Sequence, residues 1–219
     1  MPFGLCNAPA TFERLMEQIL TGLPLAVCLV YLDDILVPGR TFEQQIGNLR
    51  TVFMRLKEAK LKLAPKKCSL FREEVKFLGH IVSASGVATD PDKLYAVSTW
   101  PRPTNVLEVR QFLGLCSYYR RFVAKFADIA QPLYQCTERN QPFEWTEGAE
   151  HAFNRLKQAL TEAPILGYPE PTGNYILDAD ASAFGIGAVL SQVQKAEEKV
   201  IAYFSRQLSI STVQLEESY

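Results

Sequence analysis

The sequence predicts an α+β fold, and three observations carry that prediction. Apolar residues recur at three- and four-residue intervals in several separate stretches, as helices require. Between them stand β-branched and aliphatic runs too short for helices, at residues 26–30, 35–37 and 75–83. A last block, residues 175–205, reads as three strands divided by Gly, Ser and charged turns. A length of 219 residues suffices for one or two domains, and 47% hydrophobic with 21% charged residues is a globular rather than a disordered composition.

In chain order, Phe12, Leu15, Met16, Ile19 and Leu20 mark the first helix. Pro9 suits its first turn, with Asn7 ahead as a candidate cap. The preceding loop ends at Gly4, where a missing side chain lets backbone approach a ligand. Residues 26–30 and 35–37 are two short buried strands, close enough to form a hairpin. Thr41, with Gln44 three residues on, opens the next helix as a capping box. Ile46, Leu49, Phe53 and Leu56 are its buried stripe, and Pro65 marks its end or the following loop. Residues 75–83 read as one strand and 83–86 as a turn. Asp90 then Pro91 start a short helix that stops before Trp100 and Pro101. Asn105 and Glu108 open a longer one, in which Phe112, Leu115, Cys116, Tyr119, Phe122 and Phe126 form one stripe of helix core. Residues 141–145 look like a boundary. Ala149, Ala152, Phe153, Leu156 and Leu160 make a further helix, which Pro164 ends. Strands at 175–181, 186–192 and 200–205 form a closing meander.

Tyr31-Leu32-Asp33-Asp34, at the tip of the first hairpin, carries the sharpest chemistry. Adjacent carboxylates repel each other, and their charge beside an apolar sheet is costly unless a cation compensates it. Clustered carboxylate oxygens suit Mg²⁺, which keeps its remaining positions for water and phosphate. Two such ions in one site make an in-line phosphoryl-transfer centre. The plain alternative is turn chemistry, since Asp bonds nearby backbone groups in turns. The charge distribution adds a second signal beneath a net charge of only −1. Residues 55–76 hold eight Lys/Arg against three Glu, and residues 100–125 hold five against one, whereas residues 138–219 are net −6. Basic stripes could track a phosphate backbone, or could simply be solvated helix faces. Five scattered cysteines with no Cys-x-x-Cys pair suggest reduced thiols in an intracellular protein. No apolar run approaches the roughly 18 residues of a membrane span, and no signal peptide is visible.

Further motifs stand in register with these. They are Met1 to Phe12 (MPFGLCNAPATF), Leu63 to Cys68 (LAPKKC), Phe77 to Ser83 (FLGHIVS) and Asp90-Pro91. Trp100 to Pro103, Val109 to Leu115 (VRQFLGL), Tyr118 to Phe122 (YYRRF), Asp178 to Ser182 (DADAS) and Gly185 to Gln192 (GIGAVLSQ) follow. In this order and spacing, over essentially the whole chain, the sequence resembles the reverse transcriptase and RNase H region of a gypsy-type long-terminal-repeat retrotransposon polyprotein. The resemblance implies a partial polymerase palm without fingers over residues 1–83, thumb or connector helices over 84–140, and the N-terminal half of an RNase H-like domain over 141–219.

It further implies nucleotidyl transfer from a deoxynucleoside triphosphate to a primer on an RNA or DNA template, and RNase H cleavage of an RNA–DNA hybrid. Mg²⁺, or Mn²⁺, would be held by Asp33 and Asp34 for the first reaction and by Asp180 for the second. Asp178 shares strand parity with Asp180 and is read as a surface charge. Phe3, Gly4, Asn7 and Tyr31 would face template, primer and nucleotide. Leu78, Gly79 and His80 would form the primer grip, where His80 could equally be a half-exposed strand residue. Arg120 and Arg121 would hold duplex backbone. Flanking polyprotein segments are expected partners, no membrane is, and the expected place is the cytoplasm, within a virus-like particle for an active element.

The chain departs from the family pattern in three ways. A preceding strand with another catalytic aspartate is not in these residues, and neither are the later RNase H acids. In the helix after the hairpin, Gln45 and Asn48 stand where the family places two histidines, with Gly47 between, a departure read as drift. The first two departures lead to the expectation that the isolated chain lacks activity. The competing reading is an inactive relic or a co-opted nucleic-acid-binding or structural protein.

Overall fold

The computed structural model describes residues 4–138, 141–182 and 185–208, and the chain divides into two units, Met1–Phe77 and Leu78–Tyr219. The first unit contains α1 (Ala8–Leu20), β1 (Leu29–Tyr31), β2 (Asp34–Leu36), α2 (Phe42–Glu58) and β3 (Glu74–Phe77). Met16 and Leu20 of α1, Cys28, and Val52 and Leu56 of α2 form its core, with Val27, Val30, Ile35 and Val37 of the hairpin segment packed against it. A lone two-stranded hairpin is marginal in water, so this packing is what makes β1 and β2 persist.

The strands are shorter than the apolar runs suggest. The Pro24 carbonyl accepts the amides of Val27 (2.8 Å) and Cys28 (3.3 Å), which turns the chain and delays β1 to Leu29. The stripe of α2 is also displaced. Leu49, Val52 and Leu56 are buried, while the expected Ile46 and Phe53 are exposed. Thr41 caps α2 as its sequence implies, its Oγ1 accepting the Gln44 amide at 3.2 Å. Asn7 holds the N-cap position of α1, but its side chain caps nothing; its carbonyl accepts the Thr11 hydroxyl instead.

The second unit begins with an antiparallel pair, β4 (His80–Ser83) and β5 (Gly86–Thr89). The single strand expected over residues 75–83 is interrupted, because Leu78 (φ 48°) and Gly79 (φ 66°) are both left-handed and end the extended run. Then come α3 (Pro91–Ser98) and α4 (Val106–Tyr118), capped by Asp90 and Asn105 as the sequence implies. The one long helix expected through Phe126 does not form. A 3-10 turn (Arg120–Phe122) and a left-handed Lys125 (φ 52°) separate α4 from α5 (Phe126–Gln135). The stripe survives the break: Phe112, Cys116, Tyr119, Phe122 and Phe126 share one core with Leu133, Phe153, Leu156 and Leu160.

Those last three residues belong to α6 (Glu147–Thr161). Helices on both sides of the boundary expected at 140–141, α3 to α5 and α6, thus contribute described residues to one core. The meander forms as β6 (Tyr175–Ala181), β7 (Gly185–Gln194) and β8 (Glu197–Gln207), all antiparallel, with Asp180 opposite Gly187. Helix α5 covers one sheet face, where Ser205 Oγ accepts the Ala127 amide at 2.7 Å. On the other face Leu177 (68%) and Phe204 (54%) remain exposed. Among the described residues all five cysteines are free thiols, and no helix is long and apolar enough to cross a membrane.

Candidate metal and nucleic-acid sites

The hairpin tip is built from four residues. Tyr31 pairs with Asp34, so Leu32 and Asp33 are its two turn residues. Leu32 takes φ 53°, the left-handed value that tight hairpin turns need and that a leucine rarely adopts. Backbone strain of this kind clusters at functional sites. Asp33 and Asp34 are both exposed, and neither carboxylate has a hydrogen-bond or ion-pair partner among the described residues. Turn chemistry would have given Asp33 a bond to its own backbone, and there is none. Two adjacent, unpartnered carboxylates are a donor set that suits a hard divalent cation completed by water and phosphate oxygens. Tyr31 is about half exposed beside them. Gly4 is exposed with φ 92°, and Phe3 lies outside the described residues.

The basic stretch of the first unit is fully displayed. Arg55, Lys57, Lys60, Lys62, Lys66, Lys67, Arg72 and Lys76 are all exposed, with Lys66 and Lys67 on the 3-10 turn Pro65–Lys67.

In the second unit Leu78 and Gly79 are pinned through their carbonyls. Tyr118 Oη donates to Leu78 O (2.5 Å) and Tyr119 Oη to Gly79 O (2.6 Å). A Cβ at position 79 would meet Tyr119 Oη at 3.3 Å on an already left-handed backbone, so both crowding and conformation favour glycine there. His80 turns its ring inward among Tyr118, Tyr119 and Phe122, with centroids 5.3–5.6 Å away. Its Nδ1 lies 2.7 Å from Leu78 O and its Nε2 is buried without a partner. The ring thus presents no nitrogen to solvent and braces the turn. Nothing in the sequence signals this tie, because the tyrosines lie forty residues away. Arg120 and Arg121 are exposed, each resting on a phenylalanine ring at 5.9 Å, and neither has an acidic partner among the described residues.

Asp180 is exposed on β6, and its Oδ2 receives Lys125 Nζ at 2.8 Å. That hydrogen bond and the ammonium charge hold the Asp180 carboxyl below its usual range and raise Lys125. No motif points to Lys125, which reaches the strand because its left-handed backbone starts α5 beside it. A metal at Asp180 would have to displace this ammonium. Among the described residues no group of three or more His, Cys, Asp or Glu is placed to hold a metal. The residues fit a cation at the hairpin but do not complete a site at Asp180.

Residues 1–82 match the family described as reverse transcriptase (RNA-dependent DNA polymerase), and residues 145–217 match the RNase H-like domain found in reverse transcriptase. Both families use divalent metal ions. The chain is 43% identical over 194 residues to the retrovirus-related Pol polyprotein from transposon 297 of Drosophila melanogaster, covering 88% of this chain and 18% of that protein. It is 37% identical over 220 residues to the Pol polyprotein from transposon gypsy of the same organism, covering 95% of this chain and 21% of that protein. The chain thus spans about a fifth of the length of these relatives. Among solved structures, the foamy viral protease-reverse transcriptase in complex with dsDNA superposes with a TM-score of 0.82 at 27% identity, over 99% of this chain and 46% of that one. The same viral protein in complex with an RNA/DNA hybrid gives 0.79 at 26% identity, over 98% and 29%.

Proposed function

We propose that this chain, which belongs to the reverse transcriptase and RNase H-like region of transposon Pol polyproteins, supplies the metal-binding hairpin and the duplex grip of an RNA-directed DNA polymerase. The observation that carries the reading is the Asp33–Asp34 pair, exposed and without protein partners at a strained hairpin tip. The reaction joins a primer 3′-hydroxyl oxygen to the α-phosphorus of a deoxynucleoside triphosphate and releases pyrophosphate, on an RNA or DNA template. Bound Mg²⁺, or Mn²⁺, would lower the hydroxyl's pKa and neutralise charge at phosphorus. Asp33 and Asp34 hold that charge in place, and Tyr31 sets the hairpin beside the primer end. Gly4, Asn7 and Phe3 border the template and nucleotide.

Leu78 and Gly79 grip the primer through a turn that His80 braces from within. Arg120 and Arg121 take duplex backbone, which positions the substrate without reading sequence. Asp180 serves hybrid cleavage in the RNase H-like part. The functional division runs 1–83 palm, 84–140 thumb or connector, 141–219 RNase H-like. The working place is the cytoplasm, in a virus-like particle, beside other segments of the same polyprotein.

One observation favours a second reading for the 219-residue polypeptide tested alone. The hairpin contributes two carboxylates, and the described residues bring no third to them. A two-metal centre short of a ligand misplaces its nucleophile, and small misplacements cost orders of magnitude in rate. The isolated polypeptide is then a duplex binder without turnover. Primer extension with Mg²⁺ or Mn²⁺ decides between the two. Extension that vanishes in Asp33→Asn/Asp34→Asn supports catalysis by the polypeptide itself. Absence of extension with retained duplex binding supports the second reading.

A further inference from the structure

The two residues that break the family's histidine pattern sit at the base of the hairpin, and they are bonded to it. Gln45 Nε2 donates to Val37 O at 2.9 Å. Asn48 Nδ2 donates to Pro38 O at 2.7 Å and to Ala26 O at 3.3 Å. Val37 and Pro38 directly follow β2, and Ala26 precedes β1. One helix face therefore holds the chain on both sides of the Asp33–Asp34 tip. A separate observation shows how closely the chain is drawn in. A Cβ built on Gly39 would lie 2.8 Å from Gln45 Cα, closer than real Cβ contacts come. Only glycine allows this approach, so the close seating of the strand exit on α2 is written into the sequence.

We infer that Gln45, Asn48 and Gly39 form a mount that sets the orientation of the Asp33–Asp34 hairpin, with Gln45 and Asn48 as positioning residues acting through the backbone. This rests on the proposed role of that hairpin in binding a divalent cation. The apolar contacts of Val30, Ile35 and Val37 hold the hairpin against α1 and α2, but burial is non-directional. The three backbone-paired positions, Leu29 with Leu36, Val30 with Ile35 and Tyr31 with Asp34, fix the two strands to each other and not to the helix. The side-chain amide bonds supply the missing directional link. What the link requires is an N–H donor of the right reach at positions 45 and 48. Amide and imidazole side chains both meet that requirement.

The test uses the whole 219-residue chain, with Gln45→Leu and Asn48→Leu as disrupting variants and Gln45→His and Asn48→His as donor-preserving ones. Hydrogen exchange is read by peptide. The mount predicts faster exchange over residues 29–37 in the leucine variants, unchanged exchange in α1 and near wild-type exchange in the histidine variants. Mn²⁺ binding is read in parallel by water-proton relaxation. Loss of an orienting partner should weaken the hairpin site about 10-fold or more in the leucine variants, with recovery in the histidine variants. Asp33→Asn/Asp34→Asn separates the two ideas. If it leaves Mn²⁺ binding unchanged, the cation reading of the hairpin fails, and the exchange map alone decides the mount. Unchanged exchange over residues 29–37 in both leucine variants overturns the mount, as does an equal rise throughout the first unit. Should either leucine variant fail to fold, Gly39→Ala supplies the same local perturbation from the other side of the contact, with the same expected exchange pattern.

Discussion

Replacing Arg120 and Arg121 together by alanine should flatten the salt dependence of duplex binding by a calculable amount. Both guanidiniums are exposed, each lies over a phenylalanine ring, and neither is engaged by a carboxylate among the described residues. An unengaged guanidinium that meets a phosphate releases a condensed counterion. On B-form DNA each such contact adds about 0.9 to the slope of log K against log salt. Two contacts give about 1.8, so a rise from about 50 to 200 mM salt costs the wild type roughly tenfold more affinity than the double variant. Arg102 is the internal control. It is also a surface arginine, but it is paired with Glu150 at 3.5 Å and lies over Trp145. Its replacement by alanine should leave the slope near the wild-type value. Fluorescence anisotropy of a labelled duplex at four salt concentrations measures all three slopes. An unchanged slope in the double variant, or an equal fall on Arg102→Ala, would refute the assignment of backbone contact to the Arg120–Phe122 turn.

Three further outcomes follow from single contacts. The Cys116 thiol, buried in the helical core and pushed up to about 12 by that burial, should resist a thiol reagent at pH 8 while exposed Cys6 reacts at once; Cys116 should react only on denaturation. Tyr119→Phe removes the hydroxyl donor to Gly79 O and leaves a carbonyl short of its partner, which should lower stability by about 1–2 kcal/mol in urea unfolding. Lys125 holds the Asp180 carboxyl low, so the stabilising effect of their contact is present above the ordinary carboxylate value and is lost as pH falls through the lowered one. In Lys125→Met, carboxyl NMR should find Asp180 titrating higher than in the wild type. An unmoved Asp180 would show that the contact does not persist in solution.

The elements that the sequence made legible are those whose cause is local. Thr41, Asp90 and Asn105 each accept an amide of their own helix, and a cap acts within three residues. The meander was equally plain, since strand alternation and turn residues lie side by side in the chain. What stayed hidden depends on partners far along it. The break after Tyr118 leaves the 112–126 stripe buried on one core, so apolar spacing alone cannot reveal that the helix has ended. The inward ring of His80 and the reach of Lys125 to Asp180 span about 40 and 55 residues, a distance over which one sequence carries no pairing signal.

Gln45 and Asn48 depart from the family's letters and still bond the base of the hairpin. Against the family pattern two histidines are replaced, and Gly47 between them weakens the helix by about 1 kcal/mol relative to alanine; together these read as decay. In the structure both replacements donate to carbonyls that flank the hairpin, and a Cβ at position 47 would meet nothing within 4 Å, so the glycine serves no contact there. What these contacts require is an N–H donor at a given height above the helix, which imidazole and carboxamide share. Here the glycine is unconstrained and the donors are engaged, so of these three departures only Gly47 lacks a contact that accounts for it. The same reasoning fixes the expected result at position 47: Gly47→Ala should stabilise the first unit by about 1 kcal/mol in denaturant unfolding and leave Mn²⁺ binding at the hairpin unchanged. A stabilised chain with weakened metal binding would mean that flexibility in α2, rather than the mount alone, governs the hairpin.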